Sequence, residues 1–544
     1  MKRRPNPPNL LGLDTEVIAG IKDYYETTMA DTNLVAGIGG RRSQFNAAVR
    51  SMPMSKVVGL QSTKSDGFSI TIDGQRLMFE HPALELEGRT FDIYEVEPAN
   101  YLINTGLEQI LGFIKNWEMD DEMIQAYSER GINLKTIHYL EKNRNLNLSA
   151  RAIPEGIPIF PHEPYIMVDG TFEQVQFPET LILGTWGLQT AIATEASYYI
   201  NILEEFGKKG VITLEGGSRR IYPGAALAAS RAALVGGFNG TSLEAIMTAY
   251  PELKYMVGGS TGHSAILHIG SDEEAFELAL RAYYHIDEGD SNAVIREKIK
   301  NTPGIGPTFL IDTFDSDQGI IAATKIMNKY GIVSQVRNDS GDHLERSRAI
   351  RMVADGKDLG KMRIMDSGDL RSWKVYDLFK NKAPIDTLLI GTYLVNPYKL
   401  PGAAYKLAQD QPDKARPEME ARAKISTNSP GKSTLPGPIA VYRIIGKDGK
   451  ADRDIILNPV IDDIESYRNI GEDYIQLDQQ VMKDGELVYD LPDMCEIIEN
   501  AKYHLSLLKP EHKRFKGAVP YPVTISDTVQ KAKETYAKRI MQKG

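Results

Sequence analysis

Between Leu214 and Asp342 the sequence repeats one design three times: an apolar stretch ends abruptly in a polar loop rich in glycine or aspartate. The loops read Gly216-Gly217-Ser218-Arg219-Arg220, Gly258-Gly259-Ser260-Thr261-Gly262-His263-Ser264 and Arg337-Asn338-Asp339-Ser340-Gly341-Asp342. Strands that end in loops of backbone amides, arginines and carboxylates are how α/β enzymes build sites for phosphorylated sugars. The chain therefore reads as an enzyme whose site lies at strand carboxyl ends.

The surrounding pattern extends this reading. Strand candidates fall at 210–214, 253–257, 308–312, 331–337, 361–365 and 385–390, and helical patterns at 223–235, 272–286, 318–330, 343–354 and 370–380. Repeated strand-then-helix argues a parallel α/β domain, barrel-like or doubly wound. The sequence Asp-Ser-Gly-Asp occurs at 339–342 and again at 366–369, an echo that suits two equivalent barrel loops. The first 200 residues differ. Helical spacing at 16–35 and 103–148, a hairpin signal at 66–80 around Asp73-Gly74, and short strands over 153–180 make a mixed α+β region. Residues 396–438 hold seven prolines and read as a long, partly irregular excursion. The tail has strands near 440–445 and 454–457 and ends in a basic amphipathic helix over 526–542.

Bulk composition excludes several classes. With 63 Lys and Arg against 73 Asp and Glu, the net charge of −10 argues against a nucleic-acid surface. Cys495 is the single cysteine, so no intrachain disulfide forms, and a reducing, cytoplasmic setting is the simpler reading. Leu10 to Leu13 is too short for a signal-peptide core, and the low-charge stretch 221–242 is interrupted by Arg231, so no membrane partner is expected.

Each motif has a functional and a structural reading. Arg219-Arg220 suits carboxylate or phosphate, or is a surface pair on a turn. Gly236 to Ser242 lets a backbone approach a ligand, or is a helix cap and turn. His263, one of nine histidines, can act as acid or base, accept a phosphoryl group, or be a structural histidine. Asp312-Thr313-Phe314-Asp315-Ser316-Asp317 looks like a metal loop, yet position 12 counted from Asp315 is Ile326 rather than Glu, so calcium-loop spacing fails and a metal ligand set is left unassigned. Arg337 with Asp339 and Asp342 sets a cation beside carboxylates, or is a salt bridge plus a helix cap. Gly391-Thr392 can offer amides to a phosphate.

Taken in order, these residues resemble the nicotinate phosphoribosyltransferase family and, with it, the nicotinamide enzyme. The resemblance is carried by Asp23 to Met29, Glu155-Gly156, Phe160-Pro161, Glu179-Thr180, Gly217 to Arg220, Ala228 to Ala233 and Gly236 to Ser242. It continues through His263-Ser264, Asp312 to Asp315, Arg337 to Asp342, Gly391-Thr392, Lys424 to Ser426, Lys432, Pro436-Gly437 and Tyr442-Arg443, spanning residues 20–445. The sequence departs from the family at Gly216, where many relatives have an aromatic residue, and at Tyr94-Glu95-Val96, where they have an arginine-containing stretch. Leu389-Ile390-Gly391-Thr392 stands for Gly-Val-Gly-Thr, and Gly262 for an alanine.

The resemblance implies an irregular, incomplete α/β barrel over 206–395, an N-terminal α+β domain over 1–205, and C-terminal segments, 396–544, that complete the latter. It implies a homodimer with shared sites that joins nicotinate to phosphoribosyl pyrophosphate, giving nicotinate mononucleotide and pyrophosphate, with Mg²⁺ accompanying pyrophosphate and ATP. Catalytic roles fall on His263, as the phosphohistidine of ATP hydrolysis, Asp339 and Arg337. Substrate-binding roles fall on Tyr25 (from the partner), Arg219, Thr241, Ser242, Asp312, Gly368, Asp369, Gly391 and Thr392. The alternatives are the nicotinamide enzyme, or a degenerate relative that binds phosphoribosyl ligands without turnover.

Overall fold

The computed structural model describes residues 18–49, 55–64, 68–72, 75–79, 90–397, 400–426 and 432–542, without the side chains of 55, 57 and 59–95. The Asp73-Gly74 turn, the proline-rich start of the chain and the Tyr94-Glu95 side chains lie outside it. The flanking strands Phe68–Ile72 and Gln75–Phe79 do pair antiparallel.

Six parallel strands carry the α/β half: β1 (Ile212–Glu215), β2 (Gly240–Thr241), β3 (Thr308–Leu310), β4 (Gln335–Asn338), β5 (Arg363–Ser367) and β6 (Thr387–Ile390), in the order β2-β1-β6-β5-β4-β3. Helices Pro223–Val235, Ser316–Tyr330, His343–Asp355 and Ser372–Lys380 pack outside, each close to its expected span. The strand expected at 253–257 is absent. Pro251–Met256 forms a 3-10 turn, and only Val257 bridges Thr241. Proline at the start fixes a φ suited to a helical turn and removes a ladder donor. The next residues still close the ring. Gly258 donates its amide to Thr241 (3.0 Å), Thr261 donates its amide to Thr308 (3.0 Å), and the Thr261 hydroxyl accepts from the Leu310 amide (2.8 Å). An extended glycine-rich segment thus stands between edge strands β2 and β3 where a regular strand would be, leaving an incomplete barrel.

The other half is a seven-stranded antiparallel sheet, in the order 420–421, 403–410, 42–49, 164–171, 149–152, 479–483, 486–487. Its outer strands come from beyond residue 400, so the C-terminal segments complete a sheet begun by the N-terminal ones. Residues 403–410 correct the reading of 396–438 as an excursion. They pair with 42–49 with one bulge at Ala408, and the prolines fall on either side of them.

A 27-residue helix, Glu179–Glu205, joins the halves. The sequence reading missed it because it is buried nearly all round and so lacks the one-sided apolar stripe that marks a surface helix. Ala193 and Ala196 bring it close to Gly236, where an added Cβ would overlap the Ala193 carbonyl. A second link is ionic. Arg231, fully buried on helix 223–235, pairs with Glu108 (2.8 Å) and with Glu155, which come from the N-terminal half. Removing Arg231 leaves two buried carboxylates without their cation, at a cost of roughly 3–5 kcal/mol.

Candidate active site at the carboxyl ends of the barrel strands

In a parallel sheet, paired residues share a face and successive residues alternate. The register pairs Leu214 with Gly240 and Leu389, Leu389 with Ser367, Met365 with Arg337, and Arg337 with Leu310. These residues face the barrel interior. Continuing by twos past the strand ends adds Gly216, Ser242, Asp312, Asp339 and Gly391 to the same face. A cavity of about 320 Å³ opens there, lined by Gly216, Arg219, Ser242, Arg337, Met365 and Leu389 and by the closing segment Gly258 to Gly262.

The same parity turns other residues outward. Thr241 pairs with Glu215, and both are fully buried. The Thr241 hydroxyl donates to Glu215 (2.6 Å) and accepts from the Leu243 amide (3.0 Å), so this side chain braces the site and does not line the cavity. Glu215, which sequence reasoning missed, organises the mouth. Its carboxylate also accepts from the Ser230 hydroxyl (2.6 Å) and the Gly217 amide, and its carbonyl accepts from the Ser242 amide (2.8 Å). One buried carboxylate therefore fixes the loops bearing Arg219 and Ser242. Its signal in the sequence was an acid directly at the end of an apolar run.

Arg337 spreads its fork over three partners: Nε donates to the Ser367 hydroxyl (2.8 Å), one terminal nitrogen to the Ser260 hydroxyl (3.0 Å) and the other to Asp339 Oδ1 (2.9 Å). Burial raises the Asp339 carboxyl. The Ser367 hydroxyl, the Arg337 guanidinium and His263 outweigh it and hold the group below the usual carboxylate range. Asp339 is therefore a settled anion at neutral pH.

His263 opens a short helix, His263–Ile269, that replaces the loop expected there. Its Nδ1 lies 3.1 Å from the Thr313 hydroxyl, and its Nε2 lies 3.9 Å from both Asp312 Oδ1 and Asp339 Oδ2. The Asp312 Oδ2 accepts from Ser340 (2.6 Å), while buried Oδ1 has no hydrogen-bond partner. The other acids of this loop are taken up: Asp315 caps helix 316–330 and Asp317 pairs with Arg346 (2.8 Å). Asp342 caps helix 343–355 by accepting from the Glu345 amide (2.8 Å).

Gly391 and Thr392 begin a four-residue helix beside Gly217, where an added Cβ would meet the Gly391 carbonyl at 2.9 Å. Gly368 has φ +86°, and a Cβ there would lie 2.5 Å from the Asp339 carbonyl oxygen; exposed Asp369 follows at φ +42°. Tyr25 does not join the cluster within one chain. It sits on helix Tyr24–Val35, which packs against 134–142 and 172–176.

The family profile described as "Nicotinate phosphoribosyltransferase C-terminal domain" matches residues 460–533. The nicotinate phosphoribosyltransferase of Bacillus subtilis (strain 168) is 27% identical over 450 residues, covering 78% of this chain and 85% of the relative. That of Caenorhabditis elegans is 25% identical over 498 residues, covering 79% and 85%. In sequence the chain resembles the nicotinate phosphoribosyltransferase family. In fold, the crystal structure of human nicotinic acid phosphoribosyltransferase superposes with a TM-score of 0.66 at 19% identity, covering 95% of this chain and 99% of the other. The nicotinate-nucleotide pyrophosphorylase of Pyrococcus furiosus gives 0.61 at 17%, covering 93% and 98%. The barrel and composite sheet are thus the type II phosphoribosyltransferase fold.

A Cβ built on Gly216 would lie 2.8 Å from Leu389 Cδ1. Leu389 pairs with Leu214, and Gly216 follows two residues on, on the same face. Leu389 thus fills the space beside Gly216 with an apolar side chain.

Proposed function

We propose that the barrel mouth joins nicotinate to C1 of phosphoribosyl pyrophosphate, releasing pyrophosphate and nicotinate mononucleotide. The observation that carries this reading is the convergence of Arg219, Ser242, Arg337 and Leu389 on one cavity, beside anionic Asp339. As the C1–pyrophosphate bond breaks, positive charge grows on the ribose ring. A fixed carboxylate at the mouth stabilises that charge without reorganising. Asp339 fills this role, oriented by Arg337 and Ser367; Asp312 holds ribose hydroxyls through its unpartnered oxygen. Gly391 and Thr392 receive the 5′-phosphate, with Gly368 and Asp369 on the neighbouring loop. Arg219 meets the nicotinate carboxylate, and Leu389 forms the apolar wall against the pyridine. Among the described residues no three His, Cys, Asp or Glu side chains converge as a metal site. Mg²⁺ is assigned to the substrates by resemblance to the family, arriving with the pyrophosphate groups and ATP.

The base choice rests on Ser242. A serine hydroxyl donates to a carboxylate, whereas an aspartate there would repel it by about 4 kcal/mol at roughly 4 Å and an effective dielectric near 20. We assign the ATP-linked step to His263. Thr313 engages Nδ1 and leaves Nε2 to take the γ-phosphoryl of ATP, releasing ADP, before water returns the phosphate. Tyr25 reaches the base from a second subunit of a cytoplasmic homodimer. The proposed division of labour sets the barrel, 206–395, as the catalytic part, with 1–205 and 396–544 forming the partner-facing part.

The test is turnover with nicotinate and with nicotinamide, each with and without ATP, on the unmutated protein and on Ser242→Asp. Nicotinate is expected to be preferred by kcat/KM, and Ser242→Asp to shift preference toward nicotinamide. Equal or better turnover of nicotinamide by the unmutated protein overturns the base assignment. Turnover of neither base promotes the binder without catalysis. An acid-labile, base-stable phosphate that persists in His263→Ala overturns the histidine assignment. Mixing inactive Tyr25→Ala with inactive Asp339→Ala subunits is expected to restore activity if sites are shared.

A further inference from the structure

The opposite end of the barrel holds a second cavity, of about 430 Å³, that shares no lining residue with the mouth. Its volume falls within the range of about 300–1,000 Å³ typical of small-molecule sites. It lies before the start of β1 and β2, between the end of helix 179–205, the Gly236-Gly237 turn and helix Met494–Leu507. Strands of this length set it roughly 10–15 Å from the residues at their carboxyl ends, at about 3.3 Å per residue.

The lining divides by chemistry. Ile200, Leu203, Val211, Val235 and Leu505 give an apolar floor, and Asn201, Asn239 and Ser506 add polar groups. Lys209, Lys450, Lys502 and Lys513 form the rim, and Glu204 is the one carboxylate among the described lining residues. The chain as a whole carries more acid than base, so this rim runs against its composition. Neutralisation is incomplete. Lys209 and Lys513 share Glu204, each at 3.6 Å, and Lys450 donates to the neutral Ser506 carbonyl (2.7 Å). Only Lys502 has a carboxylate of its own, Glu499 on the preceding helical turn.

We propose that this cavity is a second small-molecule site, for an amphipathic phosphorylated ligand of nucleoside diphosphate type. Its flat apolar part would lie on the floor and its phosphates would meet the lysines. An apolar floor excludes inorganic phosphate as the preferred occupant, since it would leave the floor uncovered. Asn239 connects the cavity to the sheet: its side-chain oxygen accepts from the Thr213 amide (2.8 Å) at the start of β1.

The probe is 8-azido-ADP, photolysed on the full chain and mapped by peptide mass spectrometry, which locates binding independently of turnover. Label is expected on peptides spanning 200–211 or 494–507, displaced by excess ADP. The double variant Lys209→Gln/Lys502→Gln, both exposed positions outside the mouth, is expected to weaken that labelling roughly tenfold, with an unchanged melting temperature. Label confined to 214–220 and 258–263, absence of label at both places, or labelling at the second cavity unchanged in the double variant overturns the proposal. Should the double variant melt early, Lys502→Gln alone is expected to lower the labelling, and unchanged labelling in it is equally contradictory.

Discussion

Asp339-Ser340-Gly341-Asp342 and Asp366-Ser367-Gly368-Asp369 share four letters and stand on adjacent strands, yet they face opposite ways. The register pairs Asp366 with Asn338, not with Asp339. The second copy is therefore set one residue deeper into its strand, and one residue in a β ladder exchanges the faces. Asp339 turns inward to Arg337 and His263. Asp366 turns outward and is fully buried, accepting from the Asn338 side chain (2.9 Å) and lying 3.0 Å from His343 Nδ1, off line for a hydrogen bond but close enough for an ion pair. Ser367 and Gly368 then serve the first loop: the hydroxyl donates to Asp339 Oδ1 and lies 3.0 Å from the Asn338 carbonyl, and the glycine leaves room for the Asp339 carbonyl. One copy presents a carboxylate to the cavity and the other holds it there. Identical motifs reveal their roles only through register.

Three substitutions probe this contrast, in decreasing order of effect. Arg337→Met removes the fork that orients Asp339 and lines the cavity. Loss of such an electrostatic partner is expected to lower kcat/KM by about a hundredfold or more, with a lesser drop in melting temperature from the lost hydrogen bonds. A tenfold or smaller loss would place the orienting work elsewhere. Gly368→Ala tests the bracing role at a smaller scale. The methyl would press on the Asp339 carbonyl in a left-handed backbone conformation, a strain of about 1–3 kcal/mol. The expected result is a lower denaturation midpoint together with reduced kcat, while an unperturbed kcat would uncouple the two loops.

The smallest effect concerns pH. The Asp366 carboxylate beside His343 raises the imidazole pKa against the opposing pull of burial. A raised folded value stabilises the protein fully below the unfolded imidazole pKa, about 6.5, and the contribution fades as pH rises through the folded value. His343→Gln should therefore flatten the decline in unfolding free energy just above pH 6.5, measured by denaturant titration. An unchanged slope would show that the pair does not titrate. Asp339 runs the other way: its depressed value adds stability that is present above the ordinary carboxylate range and is lost as pH falls.

The sequence was legible where one principle dominated. Alternation between apolar strand and polar loop located five of the six barrel strands, and the helices 223–235 and 343–355 fell almost where spacing placed them. It failed where tertiary context decided. β2 is only two residues long, and the ring closes through glycines with no strand signature. The helix 179–205 hides its period by being buried on most sides. Arg219, Ser242, Arg337 and His263 stood out because charge and glycine gathered at strand ends, and they do lie at one mouth. Thr241 looked equivalent to Ser242, and only the register separates a lining residue from a brace. Glu215 and Arg231 were opaque for the opposite reason: a lone charge in an apolar run does not name its partners, which lie across the fold at Ser230, Glu108 and Glu155.

The central claim is that the face of the strand, not the motif, makes a carboxylate part of the chemistry. The most direct test compares Asp339→Asn with Asp366→Asn, measuring kcat for nicotinate mononucleotide formation and unfolding free energy on the same preparations. Asp339→Asn is expected to lower kcat by at least about a hundredfold with a smaller loss of stability than Asp366→Asn. Asp366→Asn is expected to lose about 1–3 kcal/mol of stability by disturbing a buried polar pair, while its folded fraction keeps kcat within about tenfold of the unmutated protein. Equal losses of kcat in the two variants, or a larger loss in Asp366→Asn, would contradict the account.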